Sequence, residues 1–313
     1  MELSVVTTLY RSAAHIHEFY RRMTAAAKQI TSEYEIIFVN DGSPDHSLDL
    51  VLTFLHSDPH IKVVDLSKNF GHHKAIMTGL SYCEGEYVFL IDSDMEEDPE
   101  LLSQFWDAMI QQQDADVIYG VQEDRRGSWF EKWSGRLFYR IFNNLSKDKI
   151  VENSAMSRLM TKRYVDSLIL HQEREIFLAG LWTITGFTQK PITVQKYSIS
   201  PSTYTLAKKI SLMINAITSF SNKPLIYIFY IGTIISLLSI TYSLYLVVRH
   251  FFWNIAIQGW SSLIVSIWLL GGITIFSIGV VGIYISKIFM EVKQRPYSIV
   301  KKLYVNSSQD AKE

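Results

Sequence analysis

Two long runs without a charged residue constrain this chain more than any other feature. Residues 225–248 contain 24 consecutive uncharged positions, and residues 261–286 contain 26. As helices rising about 1.5 Å per residue, both runs exceed the roughly 30 Å hydrocarbon thickness of a bilayer. We therefore predict two transmembrane helices within residues 225–287, joined by a short extracytoplasmic loop at 249–260. The alternative is a pair of buried helices in a soluble protein.

Basic residues are distributed unequally around the two predicted spans. They cluster on the outer flanks, at Lys208, Lys209, Lys223, Lys287, Lys293, Arg295, Lys301 and Lys302. The loop between the spans holds only Arg249. The positive-inside rule then predicts a multi-pass protein of the cytoplasmic membrane with both termini in the cytoplasm. Small residues at Gly272, Gly279 and Ser286 give the second span a face for close packing, within the chain or in a homo-oligomer.

Composition excludes several other classes of protein. The formal net charge is -1 and the pI is about 6.8, so the chain has no global attraction for nucleic acid. Cys83 is the only cysteine, which excludes an internal disulfide and fits a reducing compartment. The N-terminus has no basic region followed by a long apolar stretch, so no signal peptide is predicted. The part upstream of the spans is therefore expected to face the cytosol.

Upstream of residue 205, apolar β-rich runs alternate with helical stretches. The predicted strands are 3–9, 35–39, 61–66, 87–91 and 116–121, and the predicted helices include 15–30, 46–56, 72–83 and 100–112. This alternation predicts an α/β domain over residues 1–205 with a parallel sheet. Ligands of such sheets bind beyond the carboxyl ends of the strands, so the residues that follow each strand are the candidates for chemistry.

The fourth predicted strand leads into "DSDMEEDPE", which places six carboxylates in nine positions. Acids at a helix start explain Asp98 and Glu100. They do not explain Asp92 and Asp94, whose spacing at the mouth of a sheet suits a hard divalent cation with open positions for a diphosphate. In "VNDGSPD", Asn40 and Asp41 end the second strand, and Gly42, Ser43 and Pro44 form a turn that is typical of Asx-capped loops.

The ordered set of motifs resembles the family 2 polyprenyl-phosphate glycosyltransferases, which have a GT-A (Rossmann-like) nucleotide-sugar-binding domain. The segments that carry the resemblance are "VNDGS", "SKNFGHHKAIMTGL", "IDSDMEEDPE", "EDRRGSWFEK" and the two C-terminal spans. The resemblance implies an inverting glycosyltransferase that moves one sugar from a nucleotide donor, a UDP-sugar, to the phosphate of a polyprenol, undecaprenyl phosphate. It also implies the cytoplasmic membrane face as the place of reaction and a separate membrane flippase for the product.

The resemblance further implies roles for the residues after the strands. Asp94 is expected to hold Mg²⁺ or Mn²⁺ against the donor diphosphate, and Asp92 to bind the metal or the ribose. Asp41 is expected to accept a hydrogen bond from the uracil or ribose side. Glu96 stands where the family commonly has Gln and is a further candidate metal ligand. Thr8 replaces the usual Pro after the first strand and is placed at the donor base.

Other positions match the family less closely. Arg125 is expected near the donor diphosphate or the acceptor phosphate, or else as a solvated loop charge. Glu152 aligns with an Asp proposed as catalytic base, followed by a matching Arg158. Lys68 resembles a basic residue after the third strand. Thr203 stands where a phosphate-binding Lys is expected, and the adjacent histidines 72 and 73 are predicted to lie at a helix start without an assigned role.

Two amphipathic stretches precede the first span. In residues 129–145 one helical face carries Trp129, Trp133, Leu137, Phe138, Ile141 and Phe142. This pattern predicts an interfacial helix, with a core-facing helix as the alternative. A second stretch at 206–220 lies in a juxtamembrane segment, 206–224. Residues 288–313 are predicted to form a cytoplasmic tail.

Two other functions stay open at this stage. The replacements at Arg11 and Thr203 are consistent with a membrane-anchored partner that binds a sugar nucleotide without turnover. A processive polysaccharide synthase shares the front half of such a fold. The sequence lacks the Gln-x-x-Arg-Trp motif of those synthases, and two spans would make a poor polymer channel.

Overall fold

The structure is a computed structural model that describes residues 1–122, 129–146, 149–197, 206–253 and 259–306. The chain divides into two compact units. The first, which we call the α/β unit, comprises Met1–Arg140, Asp148–Thr205 and Arg295–Glu313. The second, the helical unit, comprises Ile141–Lys147 and Leu206–Gln294.

Strands and helices alternate along the first part of the chain, as the sequence predicts. They are β1 (Leu3–Leu9), α1 (Ile16–Ile30), β2 (Tyr34–Asn40), α2 (Ser47–Ser57), β3 (Ile61–Leu66), α3 (His72–Leu80), β4 (Tyr87–Leu90), α4 (Leu101–Gln111), β5 (Val117–Val121), α5 (Trp129–Leu145), β6 (Ser154–Thr161), α6 (Lys162–Ile169), α7 (Leu178–Ile184) and β7 (Gln189–Thr193). A last strand, β8 (Val300–Tyr304), follows the helical unit in sequence. All seven residues of β1 and all seven of β2 are buried, as expected for central strands covered on both faces.

The sheet is mixed rather than purely parallel. Its strand order is β7-β5-β6-β4-β1-β2-β3-β8. Strands β4, β1, β2 and β3 are mutually parallel, but β6 lies antiparallel between β4 and β5, and β8 lies antiparallel beside β3. The five strands that the sequence predicts, β1 to β5, all run in the same direction, and the two antiparallel strands, β6 and β8, are strands that the sequence does not predict. An apolar run indicates that a strand is buried, whereas the direction of the strand depends on the path of the chain that connects it to its neighbours.

The order of the central strands creates a crevice at a defined place. From β1 the chain moves through β2 to β3 on one side, and then returns to place β4 on the other side of β1. The strand order thus reverses between β1 and β4, which is the position where open α/β sheets bind ligands. Thr8 and Asp92 lie at this edge, near the carboxyl ends of the two strands.

The segment predicted as a cytoplasmic tail contributes a strand to this sheet. Strand β8 pairs with β3, and the Ser67 N–H donates to the carbonyl of Ile299 at 2.9 Å. The Thr78 and Ser298 hydroxyls lie 2.7 Å apart. Strand β8 covers the backbone edge that β3 would otherwise expose, which protects the sheet against pairing with other chains.

The helical unit contains α8 (Leu206–Phe220), α9 (Lys223–Trp253) and α10 (Trp260–Val292). Two stretches are long and apolar enough to cross a membrane, Lys223–Tyr242 and Ser266–Val292. None of the residues in their most apolar windows is buried in the structure, unlike the core helices of a soluble protein. This exposure favours membrane spans over the alternative of two buried helices.

Local contacts join the helices within the helical unit. The Tyr284 hydroxyl donates to the carbonyl of Ser221 at 2.6 Å, and Lys287 Nζ donates to Ser219 Oγ at 2.7 Å. The ring of Phe142, which is buried, lies 6.4 Å from the ring of Phe220. These contacts connect α10 and the end of α5 to the junction between α8 and α9.

Candidate functional site

Side chains from separate segments meet at the carboxyl ends of β1, β2 and β4. The carboxylate of Asp41, directly after β2, accepts the N–H of Phe70 at 2.7 Å and that of Gly71 at 3.0 Å. Burial raises the pKa of Asp41, while these two N–H donors and nearby His72 oppose the rise. Each carboxylate oxygen retains one free lone-pair direction. Asp41, which is buried, thus holds the loop before α3, and each of its two oxygens can accept a further donor from a ligand.

The turn after Asp41 packs directly on the loop that follows β3. Gly42 has φ +58°, and a Cβ at this position would lie 2.5 Å from the backbone nitrogen of Asn69. Any other residue would both strain the backbone and clash with this loop. The exposed Lys68 places its Nζ 5.2 Å from the centre of the Phe70 ring. The side chain predicted as a basic contact therefore lies exposed at the rim of the site.

Residues His72, Thr8 and Asp92 form a line across the crevice between β1 and β4. His72 Nδ1 lies 3.1 Å from Thr8 Oγ1, and its Nε2 lies 3.4 Å from Asp92 Oδ1. The Ser93 hydroxyl donates to the carbonyl of Thr8 at 2.8 Å, which ties the same two segments a second time. The sequence predicts both histidines 72 and 73 at a helix start, and they are the first residues of α3. The bridging contacts of His72 are not anticipated, although its place after β3 puts it at the correct edge.

The predicted metal-binding aspartates share one tight turn. Met95 has φ +61°, and Asp94 Oδ1 accepts the N–H of Glu96 at 2.9 Å, so the turn folds around the exposed Asp94. The Asp92 side chain is 21% exposed. Burial and the charge of Asp94 raise the pKa of Asp92 to about 7, against the opposing charge of Lys196. Among the described residues, Lys196 is the one cation that lowers the pKa of Asp92, so the two carboxylates favour a further cation.

Glu96 has a partner that the sequence does not indicate. Its Oε2 lies 2.8 Å from Nζ of Lys196, and its carbonyl accepts the N–H of Tyr197 at 2.7 Å. Burial lowers the pKa of Lys196, but the hydrogen bond and charge of Glu96, with the charges of Glu97 and Asp92, raise it overall. The segment after β7 is thereby held against the acidic turn, with a cation beside the two aspartates.

The next acid, Glu97, points into the protein. It is 1% exposed and accepts the Ser157 N–H at 3.2 Å and the Ser157 hydroxyl at 3.3 Å. Burial raises the pKa of Glu97 to about 7, opposed by Lys196. Arg158 is also 1% exposed, with Cζ 3.0 Å from the centre of the Trp182 ring, and burial lowers its pKa to about 10. Glu97 and Arg158 thus form a buried layer beneath the acidic turn. Arg158 does not face the mouth of the crevice as a free cation.

Asp98 and Glu100 bind Arg22 of α1. The Arg22 Nη2 lies 2.6 Å from Asp98 Oδ1, and its Nε donates to Glu100 Oε1 at 2.9 Å. No side chain caps the N-terminus of α4. The sequence assigns these acids to the helix start by their position, whereas in the fold their partner is a guanidinium from another helix.

The remaining predicted residues are not joined to this cluster. Glu152 is exposed at the turn before β6, and within the described residues no hydrogen bond or ion pair joins it to Asp41, Asp92 or Asp94. Arg125 and Thr203 lie outside the described residues.

Asp92 and Asp94 suit a divalent cation only if a bound ligand supplies further oxygen atoms to the same ion. Among the residues that the structure describes, three His, Cys, Asp or Glu side chains nowhere converge as a complete metal site. Asp92 and Asp94 offer hard carboxylate oxygens with little compensating charge. Mg²⁺ is typically held by one or two carboxylates together with substrate phosphates and water, so an incomplete protein shell is consistent with such an ion.

A mixed α/β sheet with polar loops at its switch point defines a nucleotide-binding type of fold. The chain belongs to the family described as "Glycosyl transferase family 2", whose model matches residues 4–169. It is a glycosyltransferase.

Two relatives and one solved structure show how far the likeness extends. A Mycobacterium tuberculosis protein named among the glycosyltransferases is 50% identical over 304 residues, covering 97% of this chain and 89% of the relative. The SfII prophage-derived bactoprenol glucosyl transferase of Shigella flexneri is 31% identical over 305 residues, covering 96% and 98%. Glucosyl-3-phosphoglycerate synthase from Mycobacterium tuberculosis, solved with Mn²⁺, uridine diphosphate and phosphoglyceric acid, has a TM-score of 0.50 at 14% identity, covering 69% of this chain and 78% of that one. The expected GT-A fold is confirmed.

Proposed function

We propose that this glycosyltransferase moves one sugar from a nucleotide donor to the phosphate of a polyprenol at the cytoplasmic membrane face. The observation that carries the proposal is the likeness to a bactoprenol glucosyl transferase over nearly the full length of both chains. That likeness includes the two exposed apolar helices after the family 2 domain, which suit an acceptor that resides in the bilayer.

The reaction follows from the chemistry of these two substrates. An oxygen of the lipid phosphate forms a bond to the anomeric carbon of the sugar, and the bond from that carbon to the donor diphosphate breaks. The electron pair leaves with the nucleoside diphosphate, and attack from the opposite face inverts the anomeric centre. The lipid phosphate is ionised near neutral pH, so the enzyme must mainly position it and stabilise the leaving charge.

The acidic turn is the proposed site for that leaving charge. Asp94, exposed at the tip of the turn, and Asp92 would hold Mg²⁺ or Mn²⁺, and the donor ribose is the alternative ligand proposed for Asp92. A divalent ion there would supply positive charge to the departing diphosphate. Asp41 and Thr8 line the same crevice and are proposed for the nucleoside, with uridine as the expected base.

Lys68, Arg125 and Glu152 are proposed at the periphery of this reaction. Lys68 is exposed near the nucleoside loop and can approach a phosphate without losing a charged partner among the described residues. Arg125 would bind the donor diphosphate or the acceptor phosphate, because a guanidinium fork matches either. Glu152 would position the acceptor or act as base. Glu96 is proposed to tune metal binding jointly with Lys196 rather than as an isolated ligand.

The membrane arrangement is proposed from the basic flanks. Lys223 precedes the first apolar stretch, and Lys287 and Lys293 lie near the end of the second, so the positive-inside rule places both termini in the cytoplasm. A reporter enzyme fused to the C-terminus should be active in the cytosol, and one inserted near Trp253 should be active outside. The reverse pattern would refute this topology.

Two partners are proposed with this arrangement. A Cβ at Gly272 or Gly279 would meet nothing within 4 Å, so this small-residue face is open to a second copy in a homo-oligomer. A charged sugar phosphate crosses hydrocarbon poorly, so use of the product on the far side requires a separate membrane flippase.

A donor panel tests the proposed function directly. The purified full-length protein is incubated with undecaprenyl phosphate, Mn²⁺ and labelled nucleotide sugars, one at a time. A single-sugar lipid from one donor is the expected product. A polymer would identify a processive synthase, and donor binding without product would identify a binding partner without turnover.

A further inference from the structure

We propose that His72 is a positioning residue that orients the Asp92 carboxylate toward the donor site. The inference deepens the proposed function and rests on it, because that function makes Asp92 a donor-site or metal ligand. It assigns a role to a histidine whose sequence context indicates only a helix start.

The geometry places the imidazole between the ends of β1 and β4, which the Ser93 hydroxyl also joins. Its Nδ1 faces Thr8 Oγ1 at 3.1 Å and its Nε2 faces Asp92 Oδ1 at 3.4 Å. The second distance exceeds that of a good hydrogen bond, and such contacts at catalytic sites commonly shorten when the ligand binds. The ring therefore spans the crevice at the switch point between β1 and β4.

His72 forms a bridge between Thr8 and Asp92, in which one ring nitrogen donates a hydrogen bond and the other accepts one. An ionised Asp92 can only accept, so Nε2 must carry the proton that faces it. Nδ1 of the neutral ring then accepts from the Thr8 hydroxyl. This arrangement fixes one tautomer and one ring orientation, as carboxylates and hydroxyls do for histidines that support metal sites.

The adjacent histidine shows what a purely structural role looks like in this loop. His73 Nδ1 faces the carbonyl of Ile176 at 3.1 Å, and the ring is partly buried. By contrast, the His72 side chain is 40% exposed and faces Asp92. Exposure of this size argues against core packing as the reason for an imidazole at position 72.

Two substitutions separate the two ends of the bridge. Gln at position 72 can place its terminal N–H₂ near the position of Nε2, so His72→Gln should keep the donor to Asp92. Asn is shorter and reaches only the position of Nδ1, so His72→Asn keeps a group near Thr8 and loses the contact with Asp92. If His72 served only the start of α3, the Asn and Gln variants would have the same effect on ligand binding.

The measurement is ligand binding to the full-length protein in detergent, with calorimetry for uridine diphosphate in saturating Mn²⁺ and spin resonance for Mn²⁺ alone. We expect His72→Asn to weaken at least one of the two affinities about tenfold, the range seen when outer partners of metal ligands are removed. His72→Gln should stay close to wild type. His73→Asn is the matched control and should leave both affinities unchanged, even if the protein melts earlier.

A second variant tests the other end of the bridge. Thr8→Val removes the hydroxyl with little change of shape, and should weaken the affinity for Mn²⁺ alone, which does not depend on the proposed contact of Thr8 with the nucleoside, by a smaller factor than His72→Asn. Combined with His72→Asn it should add nothing, because residues in one contact chain are not additive. Full additivity would overturn the bridge.

The outcomes distinguish this inference from the proposed function. Equal effects of Asn and Gln, or no effect of either, would overturn the positioning role. A wild-type chain that binds neither probe would overturn it as well, because Asp92 would then hold no such ligand. Binding with the expected Asn–Gln difference, but no lipid-linked product from any donor, would support His72 and overturn the transfer reaction.

Discussion

The acidic segment has two halves that each carry a pair of carboxylates in different surroundings. Among the residues that the structure describes, Asp92 and Asp94 have no arginine or lysine as a direct partner at the crevice, apart from the nearby charge of Lys196. Asp98 and Glu100, a few positions later, are held by Arg22 of α1. The first half retains oxygens for a ligand, and the second half fixes the start of α4 to its neighbour. Negative charge at a strand end therefore indicates function only where the fold leaves it without a permanent partner.

Asp94→Asn provides the strongest test of the first half. The variant should fold and insert normally and lose turnover by a hundredfold or more, on the order expected when a group that stabilises the transition state is removed. Formation of lipid-linked sugar is the measurement. Asp107→Asn, at an exposed position on α4, is the control and should retain full activity. Near-normal activity of Asp94→Asn would remove the distinction between the two halves.

The ion pair of Glu96 and Lys196 lies between the two halves of the acidic segment. Substitutions that remove one charge of the pair test its role. Glu96→Gln leaves the Lys196 cation unpaired beside the aspartates, so half-maximal activation should need more Mn²⁺, roughly tenfold for ~1.4 kcal/mol. Lys196→Met frees the Glu96 carboxylate and should shift activation to lower Mn²⁺. The double variant should return toward wild type. Superimposable curves for all four proteins would assign the pair to loop structure alone.

Arg22→Met tests the second half. Loss of the guanidinium leaves two carboxylates close together, and we expect a loss of about 1 kcal/mol in the free energy of unfolding, which is a few degrees in Tm. The Mn²⁺ requirement of the enzyme should not change. Arg21→Met removes a fully exposed pair with Glu18 and serves as the control, with no measurable change in Tm. A shifted metal requirement in Arg22→Met would mean that the halves are coupled.

The smallest expected effect is the pH dependence of the Tm difference between wild type and Arg22→Met. The hydrogen bond from Arg22 lowers the pKa of Glu100 below its ordinary value of 4.5, while burial opposes the shift. A lowered carboxyl pKa in the folded state contributes stability above the ordinary value, and this contribution disappears as the pH falls through the folded pKa. The Tm difference between wild type and Arg22→Met should therefore shrink below about pH 4.5 and stay constant above it. A difference that grows on acidification would contradict the pairing.

Elements with a strong local signal were predictable from the sequence. The alternation through β5 and α4 agrees with the structure to within a few residues, because side-chain periodicity and turn residues act over short distances in the chain. The helix at Leu206–Phe220 coincides with the amphipathic stretch. Strand β8 was not predictable, since "VKKLY" follows a long helix and has two lysines, and only pairing with β3 makes it a strand.

The candidate site likewise has residues whose positions the sequence predicts and contacts that it does not predict. The sequence by itself determined that Asp41, Asp92 and Asp94 follow strands of one sheet and that two apolar helices follow the domain, because these properties depend on neighbouring residues. Only the tertiary structure decided that His72 spans the crevice and that Lys196 meets Glu96 from the far end of the domain. Such pairs are set by the closure of the whole sheet, which brings distant segments to one edge. No local pattern specifies which charges will be compensated there.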